Sequence, residues 1–133
     1  MKTIAIMLRA LQFGAHNAHN LAKGPTFMED HEHFADLYGA YEGEYDDVVE
    51  RMIGLRVGID LIYINKMAMD LAASMDTSSS SASFSAILAA DKNLMAAVEA
   101  ESGSASLGSQ DLLQKIADAC ERRQYKIQQR LDI

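Results

Sequence analysis

Apolar residues recur along this chain at alternating steps of three and four, the period that places them on one face of a helix. Ile4, Leu8, Leu11, Ala15 and Ala18 mark the core side of a first helix predicted over about residues 3–22. A second stripe, Phe27, His31, Phe34, Tyr38, Tyr41, Tyr45, Val48, Met52 and Leu55, predicts one helix from about 26 to 56, on the order of 45 Å long at 1.5 Å per residue. Residues 60–75 read as a short connecting helix. Phe84, Ile87, Leu88, Leu94, Met95 and Val98 line one side of a third long helix over 83–101, and Leu113, Ile116, Cys120, Ile127 and Leu131 line a fourth over 109–130. The expected fold is all-α: a four-helix bundle with a short crossover helix between its second and third long helices. No internal repeat is evident.

Punctuation falls between the stripes. Thr26 and Glu29, after Gly24-Pro25, have the spacing of a capping box, in which the threonine hydroxyl accepts from the amide near Glu29 and Glu29 reaches back. Gly58 is placed to stop the second helix. Thr77-Ser78-Ser79-Ser80-Ser81 reads as a polar loop, and Ser102 to Gly108 as a flexible turn. Ser109 and Asp111 open the last helix, while Arg122, Arg123, Lys126 and Arg130 lie toward its end as a solvated face matched to the helix dipole. Met67, Met69 and Met75 are expected to be adaptable packing rather than metal ligands.

Composition narrows the class. A chain of 133 residues, 49% hydrophobic and 23% charged, matches a single domain over residues 1–133 with a sizeable core. A net charge of −7 and a pI near 4.9 argue against coating nucleic acid, and no basic arm precedes the first helix, so DNA binding is not expected. Arg9 ends the apolar run Ile4 to Leu8 too early for a signal peptide, and no run approaches the roughly 20 residues that cross a bilayer. Cys120 is the lone cysteine and sits on the apolar face of the last helix, which points to core filler and to a reducing, cytoplasmic setting.

Candidate chemistry concentrates on the second helix. His31, Glu42, Asp46 and Glu50 fall within an arc of about 100° along the edge of its apolar stripe. Fifteen residues separate His31 from Asp46, roughly 22 Å of helix, whereas metal bonds to nitrogen or oxygen are about 2 Å. The two ends therefore cannot share an ion within one chain. A second copy packed antiparallel about a two-fold axis near residue 40 would set His31 of one chain level with Asp46 and Glu50 of the other, twice over. Gly39 and Gly43 sit near that crossing, where missing side chains permit close approach at a propensity cost of roughly 2 kcal/mol for the two. His19 comes to the height of His31 if the first two helices are antiparallel. His19 and His31 from one chain with Asp46 and Glu50 from its mate make a mixed nitrogen and oxygen shell suited to iron, with zinc as a substitute. His16 is expected at the surface or the core edge, and His33 to project away from the carboxylate stripe into solvent.

The run His19-Asn20-Leu21-Ala22-Lys23-Gly24-Pro25-Thr26-Phe27, then His31-Glu32, then Asp46-Asp47-Val48-Val49-Glu50-Arg51, resembles the Dps-type mini-ferritins. The resemblance implies a ferritin-like bundle that builds a homodimer and then a hollow shell, a dodecamer. It also implies oxidation of ferrous iron by peroxide or dioxygen at inter-subunit sites held by His19, His31, Asp46 and Glu50, with ferric mineral stored inside. Two positions depart from the family pattern: Ala35 stands where it supplies a carboxylate one turn after the second histidine, and Asn20 where it supplies a tryptophan. These departures define the alternative, a structural or interaction bundle that keeps the fold and has lost oxidation. The Glu-x-x-His pairs of intra-subunit di-iron bundles are absent.

Overall fold

The chain's first reversal rests on Gly24, the only glycine with a positive φ, at 90°, a conformation that a side chain would strain. It joins α1 (Lys2–Leu21) to α2 (Phe27–Gly54) in a computed structural model that describes all 133 residues. The chain continues as α3 (Leu61–Ala73), α4 (Ser80–Ser102) and α5 (Leu107–Leu131), with no strands.

Helix ends show where local chemistry departs from sequence expectation. Thr26 does not close a capping box: its hydroxyl donates to Asp30 Oδ2 at 2.7 Å and caps no amide. The reason is that Asp30 is buried and its carboxylate offers a charged acceptor, stronger than a neutral cap. At its other end α2 stops four residues before Gly58. Arg56 takes the left-handed conformation at φ 59°, and Val57 N–H donates to Met52 O while Arg56 N–H donates to Ile53 O, the Schellman pattern. Leu55, assigned to the buried stripe, lies past that end and is 52% exposed. The serine-rich loop is shorter than expected because Ser79 caps α4 by accepting from Ala82 N–H. Ser106, rather than Ser109, caps α5, and Asp60 caps α3.

Contacts between ends fix the topology. The Met1 ammonium meets Glu101 at 3.2 Å, so α1 begins where α4 ends. Arg130 forks onto Asp30, with both bonds at 2.8 Å, so α5 ends where α2 begins. Each long helix thus packs antiparallel on two neighbours, in the ring order α1, α2, α5, α4. The end of α2 and the start of α4 therefore lie at opposite ends of the ring, and α3 spans the distance outside it along α1. Tyr63 lies under Lys2, Asn65 bonds to Arg9, and the Met75 sulfur rests on Gly14, where a Cβ would collide with it.

The apolar faces of the long helices meet in one core. Ile4, Leu8 and Leu11 of α1, Phe34 and Met52 of α2, Phe84, Ile87 and Leu94 of α4, and Leu113 and Ile116 of α5 are all sealed from water. Each such side chain contributes about 1.5–3 kcal/mol. Met95 and Leu131, expected in the core, are half-buried at its margin. No helix is long and apolar enough to cross a membrane.

Candidate functional site

The α1–α2 turn brings His19 and His31 together. Their rings stack with centroids 3.6 Å apart and planes inclined by 19°. His19 Nδ1 lies 2.8 Å from the carbonyl oxygen of His31, and His31 Nδ1 lies 2.9 Å from that of His19. A carbonyl oxygen only accepts, so each Nδ1 carries the proton and donates. In the neutral form each imidazole is thereby the tautomer whose Nε2 has a free lone pair, the state in which histidine ligates a metal, with a backbone carbonyl orienting the other nitrogen. The pair lies in a wider aromatic cluster. Phe27 stacks on His31 at 4.8 Å, Tyr38 meets His19 edge-on at 5.4 Å, and His16 stacks on Tyr38 at 4.2 Å.

Stacking constrains how the pair can ligate. A metal bound to imidazole lies in the ring plane about 2 Å beyond the nitrogen. Two planes 3.6 Å apart at 19° converge by only about 1 Å over that reach, so one ion does not lie in both. Each imidazole therefore offers its own Nε2 position, and sharing one ion would require a ring to swing and lose its Nδ1 bond. Within one chain, no three His, Cys, Asp or Glu side chains converge as a metal cage. Asp46 and Glu50 are exposed on the distal half of α2, and apart from the local helix backbone nothing lies within 4 Å of where a Cβ on Gly39 or Gly43 would stand. The face of α2 that carries Gly39 and Gly43 is therefore bare in this chain.

The bundle interior holds a polar network that the sequence reading missed. Asp91 of α4, fully buried, accepts from Tyr41 Oη at 2.8 Å, Arg123 Nε at 2.7 Å and Gln124 Nε2 at 2.8 Å. The other edge of the Arg123 guanidinium forks onto Glu44, and its face lies 4.4 Å from the Tyr41 ring. Three helices are thus tied through one cation. Arg123 and Arg130, assigned to a solvated face, are instead paired with interior carboxylates, because α5 turns both toward α2. Burial works against the Arg123 charge, but the bonds and charge of Glu44, with Asp91, hold its pKa above the ordinary arginine value. Burial drives the Tyr41 pKa up, with the Asp91 charge adding to it.

Two further titratable groups are placed by this interior. His33 is not solvated: it is half-buried with its ring 5.0 Å from Phe84, and burial lowers its pKa. Cys120 is sealed in the core, where burial, then the Asp91 charge, push its thiol up to about 12. Such a thiol is inert packing, as expected. Asp30 sits one residue before His31, and the Arg130 hydrogen bond holds its carboxyl below the usual value. This pair anchors the first turn of α2, and so the height of His31, to the end of α5.

Comparison with protein-family models, with curated proteins and with solved structures finds no match to this chain.

Proposed function

We propose that this chain is a protomer of a Dps-like mini-ferritin, in which two copies of α2 cross antiparallel and each crossing end receives ferrous iron for oxidation by peroxide or dioxygen. The observation that carries this reading is the reciprocal pair of Nδ1–H to carbonyl bonds. A histidine pair kept only for packing has no need of two free Nε2 atoms, whereas a ligand pair does. The ring order α1, α2, α5, α4 with a lengthwise crossover is compatible with a ferritin-like bundle, and the bare surface at Gly39 and Gly43 suits a close helix crossing. Asp46 and Glu50 of the mate would supply the anionic ligands, with a shell assembled from such dimers storing the ferric product.

One observation favours the rival, a bundle without oxidation: Ala35, one turn beyond His31 on the same helix, brings no carboxylate to the pair. Anaerobic ferrous titration followed by peroxide separates the two. Stoichiometric binding and a ferric absorbance that rises with each peroxide addition, both lost in His19→Ala and His31→Ala, are expected. Ferrous iron left unbound by the wild type would establish the rival.

A further inference from the structure

Two of the guanidiniums that this chain withdraws from water pair with carboxylates, and Arg9 does not. Arg123 and Arg130 each fork onto a carboxylate, whereas the half-buried Arg51 donates to the Ser109 hydroxyl at 3.4 Å. Arg9, also half-buried, makes no ion pair although the chain carries an excess of carboxylates. Its bonds go to neutral amides: Nε donates to Asn65 Oδ1 at 2.8 Å and Nη1 to Gln12 Oε1 at 2.9 Å. The guanidinium lies 4.1 Å from the Tyr45 ring and 5.4 Å from that of Phe13. Groups from α1, α2 and α3 thus fix its plane before any ligand arrives.

Of its five N–H groups, these bonds use two, leaving one on Nη1 and both on Nη2. No unpartnered side-chain nitrogen or oxygen in a residue short of full exposure is sealed from solvent, so Nη2 opens to water. Nη2 together with the free Nη1 hydrogen has the donor set of the planar fork that matches two oxygens of one carboxylate or phosphate. A cation withdrawn partly from water without an anion is costly, and here the geometry for receiving one is already set.

We propose that Arg9 anchors an oxyanion site at the junction of α1, α2 and α3, binding one carboxylate or phosphate group through two parallel hydrogen bonds. The same chemistry has two sources, a free oxyanion or a carboxylate on a second copy of this chain. This site stands independently of any metal at His19 and His31.

The test uses inorganic phosphate, titrated calorimetrically into the full chain at about 0.15 M salt, where screening over about 8 Å removes the pull or repulsion of distant charges. Wild type, Arg9→Gln, Arg9→Lys and the control Lys2→Gln are compared, with sedimentation equilibrium on each. Arg9→Lys keeps the charge and stem and loses only the fork, so it carries the test if Arg9→Gln does not fold. One-to-one phosphate binding that weakens at least about tenfold in Arg9→Lys and is unchanged in Lys2→Gln assigns a free oxyanion. No phosphate binding, with self-association weakened by a similar factor in Arg9→Lys and not in Lys2→Gln, assigns a carboxylate of the second copy. Phosphate affinity and self-association that are both indifferent to Arg9→Lys would overturn the proposal.

Discussion

Removing the Asp91 carboxylate should be among the most damaging single changes this fold can suffer. Asp91→Ala leaves the Tyr41 hydroxyl, Arg123 Nε and Gln124 Nε2 without their acceptor inside the bundle. Arg123 keeps Glu44, so its charge is not orphaned, yet two buried donors and one half-buried donor are. Breaking a buried ion pair by removing one partner costs about 3–5 kcal/mol, against about 5–15 kcal/mol for the whole stability of a domain. With a urea slope of about 1–3 kcal/mol per molar, the unfolding midpoint should fall by at least about 1 M. Asp118→Ala, which removes an exposed partner of Arg122, should move stability by no more than about 0.5 kcal/mol. Replacing Asp91, Arg123, Glu44 and Tyr41 together by Leu, Met, Leu and Phe should recover much of the loss, since an apolar interior needs no partners. Urea denaturation followed by circular dichroism decides it. A loss below about 1 kcal/mol in Asp91→Ala would refute the clasp as a determinant of the fold.

Other consequences are as direct. The Asp30 carboxyl is held below its ordinary 3.8 chiefly by the Arg130 hydrogen bond, so its stabilisation is complete above that pH and is lost as pH falls through the lower folded value; Asp30→Asn should lower stability at pH 7 and narrow its gap to wild type below pH 4, as urea melts at both will show. The His33 pKa lies below 6.5 because burial disfavours the imidazolium, so the stability it contributes is present above pH 6.5 and lost as pH falls through the folded value. His33→Phe should flatten that acid limb, and an NMR titration of His33 with a midpoint at or above 6.5 would contradict it. Gly39→Leu with Gly43→Leu should raise the thermal stability of the isolated protomer, since each helix-interior glycine costs about 1 kcal/mol, and abolish self-association in sedimentation; an intact dimer would place the crossing elsewhere.

The helices were legible because each apolar stripe is long and regular, and helix existence depends on that periodicity more than on any single residue. His19 and His31 were legible for a similar reason: a short turn between antiparallel helices places residues that flank it at nearly one height. Their face-to-face stacking was not, because ring orientation depends on two backbone carbonyls that no side-chain pattern encodes. The end of α2 was misplaced because a left-handed Arg56 took the role assigned to Gly58. A signal for the clasp was present, since Asp91 interrupts the stripe between Leu88 and Leu94, and Arg123 falls between Cys120 and Ile127 on the buried face of α5. A charge inside a stripe asks for an opposite charge inside another, and reading α5's cations as one solvated run concealed it. Arg130 likewise looked like dipole compensation until Asp30, unremarked in the sequence, turned inward to meet it.

A mixing experiment with two variants tests the account's central claim most directly. His31→Ala and Glu50→Ala homodimers should each bind no ferrous iron under anaerobic conditions, because in the proposed geometry every site takes an imidazole from one chain and a carboxylate from the other. Differently tagged heterodimers of the two variants should regain half of the wild-type iron, at the end where wild-type His31 faces wild-type Glu50. Heterodimers that bind no iron, or a Glu50→Ala homodimer that binds as much as wild type, would contradict a site built between two antiparallel copies of α2.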